Sequence, residues 1–162
     1  MTDPNPVSSH PALTGGCTCG RVRFRLQSAP IVTHCCHCRV CQKVSGSAFR
    51  VNAMIESDRL TVLQGAPETF QGVAGHKRIQ CPECKTALWS FHPELGEAIA
   101  FVGVGVLDQG ERLPPEAHYF TRSKHPWVML PQGVPSFSEL AYPDKPEAAS
   151  RIAAALGAPA AP

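Results

Sequence analysis

Gly15-Gly16-Cys17-Thr18-Cys19-Gly20-Arg21-Val22-Arg23-Phe24-Arg25-Leu26 joins a two-cysteine hook directly to a run of strict alternation. Val22, Phe24 and Leu26 fall on one side of an extended chain, and Arg21, Arg23 and Arg25 on the other. A period of two marks a strand with one buried face. The hook follows a different logic. Two thiols two positions apart span neighbouring vertices of a metal tetrahedron but cannot complete it. The stretch therefore predicts a β protein whose strands are tied by metal to a second hook elsewhere in the chain.

Cys81-Pro82-Glu83-Cys84 is that second hook. Proline presets the turn, and the backbone N–H groups that follow can donate to the thiolates. Cys17 and Cys19 with Cys81 and Cys84 make a complete four-thiolate set from distant parts of the chain. A closed set of this kind is a structural zinc site, and its binding free energy, on the order of 10 kcal/mol, is largely folding free energy. The competing reading is a disulfide scaffold. The first residues contain Asp3 and three prolines, with no basic cluster leading into an apolar run. That favours a cytoplasmic setting, where thiols stay reduced and clustered cysteines bind metal.

Between the hooks stands Cys35-Cys36-His37-Cys38-Arg39-Val40-Cys41. Cys36, Cys38 and Cys41 are compact enough to cap one ion from three sides. Zinc with three protein ligands and an exchangeable fourth position is a reactive site; a fourth ligand from Cys35, His34 or His37 would close it. Adjacent Cys35 and Cys36 project in opposite directions if the segment is extended, and His37 should also turn away. Spacing alone leaves open and closed sites equally available.

The remaining sequence is punctuated by sixteen prolines and thirteen glycines, which favour short strands and loops. Further strands are expected at 49–55, 60–63, 68–71, 76–80, 87–91, 98–107 and 118–120, with a short helical turn at 39–44. Residues 147–156 (EAASRIAAAL) predict a C-terminal helix with a weak apolar face. The organisation is a flexible arm over 1–14, a zinc-binding β domain over 15–130, and a proline-rich extension over 131–162. The longest apolar stretch, 99–107, is far below the roughly 20 residues a membrane span needs, so no membrane partner is expected. The formal charge of +2 counts thiols as neutral and falls near zero with seven thiolates on two zinc ions. With no lysine-rich stripe carrying interleaved aromatics, nucleic acid is not an expected partner either.

The three cysteine groups resemble those of the glutathione-dependent formaldehyde-activating family. The resemblance runs through residues 15–24, through Cys36 to Cys41 leading into Ser45-Gly46-Ser47-Ala48-Phe49, and through Cys81-Pro82-Glu83-Cys84-Lys85-Thr86. His118-Tyr119-Phe120 and Pro126-Trp127 fit the family's usual ending. It implies a mainly β, tent-like fold scaffolded by two zinc ions. Cys17, Cys19, Cys81 and Cys84 match the structural ligands, and Cys36, Cys38 and Cys41 the ligands of the second zinc. It also implies a carbon–sulfur lyase that joins formaldehyde and glutathione, with a small thiol such as glutathione as partner. Two departures stand out. Lys85 replaces the usual glycine after the knuckle, where a left-handed backbone costs a side chain about 1 kcal/mol. Cys35 is an extra thiol beside the second site.

For the chemistry, a thiol delivered as thiolate could attack a small aldehyde held beside it, mainly through proximity and orientation. Ser45 and Ser47 follow the ligand loop, and His118 and His125 could shuttle a proton. Trp127 reads as core packing or a pocket wall. Arg21, Arg23 and Arg25 could greet an acidic ligand or form the solvated face of an edge strand. The leading expectation is a zinc-dependent lyase-like enzyme; the alternative is a non-catalytic zinc-scaffolded module binding a protein or small thiol. Open sheet edges also admit a homodimer.

Overall fold

The computed structural model describes residues 12–141 and 146–157, so most of the expected arm lies outside the described residues. The chain is mainly β, with ten strands in two sheets and two helices. A three-stranded sheet has the order β1-β2-β5, built from Leu13–Gly16, Arg23–Leu26 and Leu60–Gln64. A seven-stranded sheet contains β3 (Val32–Cys36), β4 (Arg50–Glu56), β6 (Glu68–Gln71), β7 (Lys77–Gln80), β8 (Ala87–Phe91), β9 (Ile99–Gly103) and β10 (Ala117–Tyr119). Its order is β10-β3-β4-β9-β8-β7-β6. All pairings are antiparallel except that of β10 with β3.

The sheets meet through the side chains that alternation turns inward. Val22, Phe24 and Leu26 pack against Ile55, Ile79, Leu88, Trp89, Ala100 and Val102, all buried. Phe24 meets Trp89 edge-on at 5.5 Å, a geometry favourable for aromatic quadrupoles. The other face of the large sheet carries two things. At one end Val32, Met54 and Phe101 pack with Leu95 and the C-terminal helix α2 (Pro146–Ala155). At the other end the same face lines a cavity.

Several expectations need correction. Leu13 and Thr14, placed in the flexible arm, belong to β1 and pair with Leu26 and Arg25. The expected strand at 98–107 ends at Gly103, where a 3₁₀ turn over Val104–Val106 redirects the chain. The arginine stripe does not lie on an edge strand, because β2 is the middle strand of its sheet. Arg21 pairs with Glu83 and Arg23 with Asp108. Trp127 is not in the core: it is 71% exposed and stacks on His125.

The C-terminal helix is docked despite its modest apolar face. Ala148 and Ile152 are buried, and Arg151 holds Glu56 through Nε at 2.7 Å and Nη2 at 2.6 Å. Burial raises the Glu56 pKa, but the Arg151 contacts outweigh it and hold the group below 4.5. A depressed carboxyl contributes stability that is full above its ordinary value and lost as pH falls through the lowered one. Hydrogen exchange in α2 is thus expected to stay slow at pH 6 and to accelerate, ahead of the sheet amides, below about pH 4.

Candidate metal centre

The two hooks meet. Cys17 and Cys19 lie in the turn between β1 and β2, and Cys81 and Cys84 in the turn between β7 and β8. Their four sulfurs all lie within 4.8 Å of one another, with Cys17 to Cys19 at 3.5 Å and Cys19 to Cys81 at 3.8 Å. A tetrahedron with metal–sulfur bonds of 2.3 Å has edges of about 3.8 Å, so the set fits zinc. The surrounding groups suit thiolates. The Val22 amide donates to Cys17 Sγ at 3.2 Å, and Cys84 Sγ contacts Thr86 Oγ1 at 3.0 Å. Thr86 draws the Cys84 pKa down to about 5. Lys85 has a φ of 57°, the left-handed backbone that its knuckle position implied. The four thiols come from turns of both sheets, so an ion held here would staple the small sheet to the large one.

Cys36, Cys38 and Cys41 form the second cluster, their sulfurs also within 4.8 Å of one another. Cys36 ends β3, and Cys38 is the N-cap of helix α1 (Arg39–Ser45). The Cys41 amide donates to Cys38 Sγ at 3.3 Å. Hydrogen bonds first from Cys36 and then from Cys41 hold the Cys38 thiol down to about 2, while the bond with Cys38 pushes Cys36 up. Of the three thiols, Cys38 is thus the one held lowest. Three soft thiolates around one point suit a soft-accepting ion such as zinc.

No fourth cysteine, histidine or carboxylate joins this group among the described residues. Cys35 alternates to the opposite side of β3, is 3% exposed, and burial raises its thiol pKa to about 11. It is a core thiol. His37 also turns away, its Nε2 lying 3.0 Å from His118 Nδ1.

The three thiols line a cavity of about 420 Å³. Sheet register explains its other walls. Cys36 pairs with Arg50, His34 with Asn52, Asn52 with Gly103, Phe101 with Ser90, Ser90 with Arg78, and Arg78 with Phe70. Residues paired across a ladder share a face, so this row crosses six strands on the thiol side. His76 and His92 continue it, and Lys43 of α1 closes the rim with Lys77. No Asp or Glu is among the described lining residues.

The candidate catalytic side chains read from sequence do not reach this cavity. Ser47 is exposed beyond the helix C-cap, its amide donating to Gln42 O. His118 shares its register with Cys35, so alternation sends it to the far face. His125 stacks on Trp127, rings 5.3 Å apart. Ser45 Oγ is occupied by the carbonyls of Cys41 and Phe49. Arg50, Asn52, Arg78 and His92 line the cavity instead. The available signal was polar residues at alternate positions, Arg50 and Asn52, entering an otherwise apolar strand.

Fold and site together define a β-sheet protein with one closed four-thiol cluster and one three-thiol cluster facing a basic cavity. The chain belongs to the glutathione-dependent formaldehyde-activating enzyme family, whose model matches residues 12–123. A Halomonas elongata protein, provisionally named for the same enzyme, is 30% identical over 142 residues, covering 82% of this chain and 90% of the relative. A crystal structure of a Rhodobacter sphaeroides protein superposes with a TM-score of 0.47 at 19% identity, covering 59% of this chain and 88% of that one.

Proposed function

We propose that this protein is a zinc-dependent, carbon–sulfur lyase-like enzyme that joins or cleaves the adduct of a glutathione-like thiol with a small aldehyde such as formaldehyde. One observation carries the reading: three thiols converge without a fourth ligand among the described residues and line a cavity of a size suited to a small ligand. Cys36, Cys38 and Cys41 would hold the ion. Zinc bound there supplies a fourth coordination position that keeps a substrate thiol ionised near neutral pH.

The chain's own groups account for the remaining steps. Arg50, Lys43, Lys77 and Arg78 surround the cavity with positive charge and draw in an acidic thiol. Attack of the thiolate sulfur on the aldehyde carbon forms a C–S bond and leaves the electron pair of the C=O bond on oxygen, which then needs a proton. His92, which lines the cavity, would stabilise that oxygen. Its Nδ1 accepts from the Glu94 amide at 3.3 Å, which puts the ring proton on Nε2. Burial lowers the His92 pKa, so near pH 7 the neutral ring would donate its Nε2–H as a hydrogen bond to the developing oxyanion, and the proton that neutralises the oxygen would come from water in the open cavity. A reducing cytoplasm is the compartment that this thiol chemistry requires.

Exchange NMR on formaldehyde and glutathione tests the reading. The zinc-loaded protein is expected to accelerate adduct formation and breakdown, and His92→Gln to slow both about 100-fold with zinc content unchanged. No acceleration by a fully zinc-loaded protein would exclude the enzyme and leave a thiol-binding module.

A further inference from the structure

Three arginines line the cavity without an ion pair among the described residues: Arg39 of α1, whose Nη1 donates to Gln42 Oε1 at 2.8 Å, and Arg50 and Arg78 on the sheet. Among the described residues neither Arg50 nor Arg78 forms an ion pair, although six other arginines do. Arg50 is half-buried at the position opposite Cys36, its Nη2 3.4 Å from the carbonyl of Ala87. Gly103 makes room for it, since a Cβ there would lie 2.6 Å from Arg50 Nη2 and 3.3 Å from Cζ. Ionised Cys41 and Cys36 are near enough to act on the Arg50 charge; a divalent ion held by those thiolates would offset most of that, and a partly buried cation in a space made for it then suits an anion entering the cavity.

Arg78 is held in a fixed pose. Its Nε and Nη2 donate to Gln80 Oε1 at 3.0 and 2.8 Å, and Cζ lies 4.4 Å over the Phe70 ring. Gln80 Nε2 in turn donates to Glu68 Oε1 at 2.7 Å, and Glu68 receives Lys85 Nζ at 2.8 Å. The chain of contacts runs from the four-thiol knuckle to the cavity. It spends two of the five Arg78 N–H donors and leaves Nη1 unused. A planar fork already oriented, with free donors facing a cavity that lacks carboxylates, is the arrangement that recognises a carboxylate in bidentate fashion.

We infer that Arg50 and Arg78 are the specificity-determining pair of this cavity: they bind the carboxylates of the thiol substrate, and Gln80 is a positioning residue for Arg78. The inference rests on the proposed thiol chemistry for its ligand but not on turnover. Recognition works through charge-assisted hydrogen bonds that an ester cannot make, so the protein selects acidic thiols against neutral ones of the same size.

The test is calorimetric binding of S-methylglutathione, a thioether that keeps both carboxylates and has no thiol to react, against its diethyl ester. Zinc-loaded wild type is expected to prefer the acid by about tenfold or more. Arg78→Gln should lose most of that preference by weakening the acid alone. Gln80→Leu should weaken the acid less, and Gly103→Ala should do the same by displacing Arg50 while keeping its charge. Metal analysis of each variant separates recognition from a role of Arg50 in merely balancing thiolate charge. Equal acid and ester affinity in wild type, or parallel losses for both ligands in the variants, would overturn the inference. Acid selectivity lost in Arg78→Gln without any adduct exchange in wild type would uphold this inference and reject the proposed function. Adduct exchange without acid selectivity would do the reverse.

Discussion

Replacing Cys81 by serine is expected to unfold the chain, not merely to weaken it. Cys81 is fully buried at the end of β7, and its sulfur is one of four that join the β1–β2 turn to the β7–β8 knuckle. Those turns belong to different sheets, so the cluster is a staple between the two layers of the core. A structural zinc of this kind contributes on the order of 10 kcal/mol of folding free energy. Small domains have a total stability of about 5–15 kcal/mol. Loss of one ligand therefore removes most of what holds the sheets in register. Trp89, edge-on to Phe24 between those sheets, reports the outcome through its fluorescence and near-UV dichroism. The expected result is loss of the cooperative melt and of the Trp89 tertiary signal. A variant that still melts cooperatively, only a few degrees lower, would contradict the structural role.

Cys38→Ser is expected to behave in the opposite way: folded, but inactive. Cys38 sits at the N-cap of α1, and serine is a favoured N-cap residue, so the helix start survives the change. The sheets are held by the other cluster and by the Phe24–Trp89 core. What changes is the three-thiol group, whose most acidic member is Cys38, held down by Cys36 and Cys41. With two thiols left in place of three, zinc should fall from two per chain to one, and adduct exchange should drop by about 1,000-fold or more. Melting temperature should move by only a few degrees. Retained activity with one zinc would place the chemistry elsewhere.

Much of this architecture was legible in the sequence: β2 shows the alternation of buried and wet positions, and β6 and β8, bounded by turn residues, occupy the expected 68–71 and 87–91. Neither β1 nor β3 is legible in this way, and β3 matters more for the site. Val32–Cys36 is buried at every position, so it has no polar-apolar alternation, and Thr33, His34 and two cysteines disguise it as a ligand loop. Without β3, neither the partnership of Cys36 with Arg50 nor that of His34 with Asn52 can be derived. Local spacing identifies ligands contributed by one turn, which is why the cysteine groups were readable. The cavity wall is non-local: Arg50, Ser90 and Arg78 come from three strands, and only the sheet order places them on one face. Ser47, His118 and His125 were chosen for nearness along the chain or for residue type. Sheet alternation for His118, and surface stacking for His125, take them elsewhere.

The central claim is that two thiolate clusters differ in kind, one closed and one open to a substrate thiol. Cadmium-113 NMR of the cadmium-substituted protein tests it most directly, because each bound ion reports its own coordination sphere. Two resonances are expected, of which one shifts when glutathione is added and the other does not move. Cys38→Ser should remove the responsive resonance alone. Two resonances that both ignore glutathione, or a single resonance from the whole chain, would contradict it.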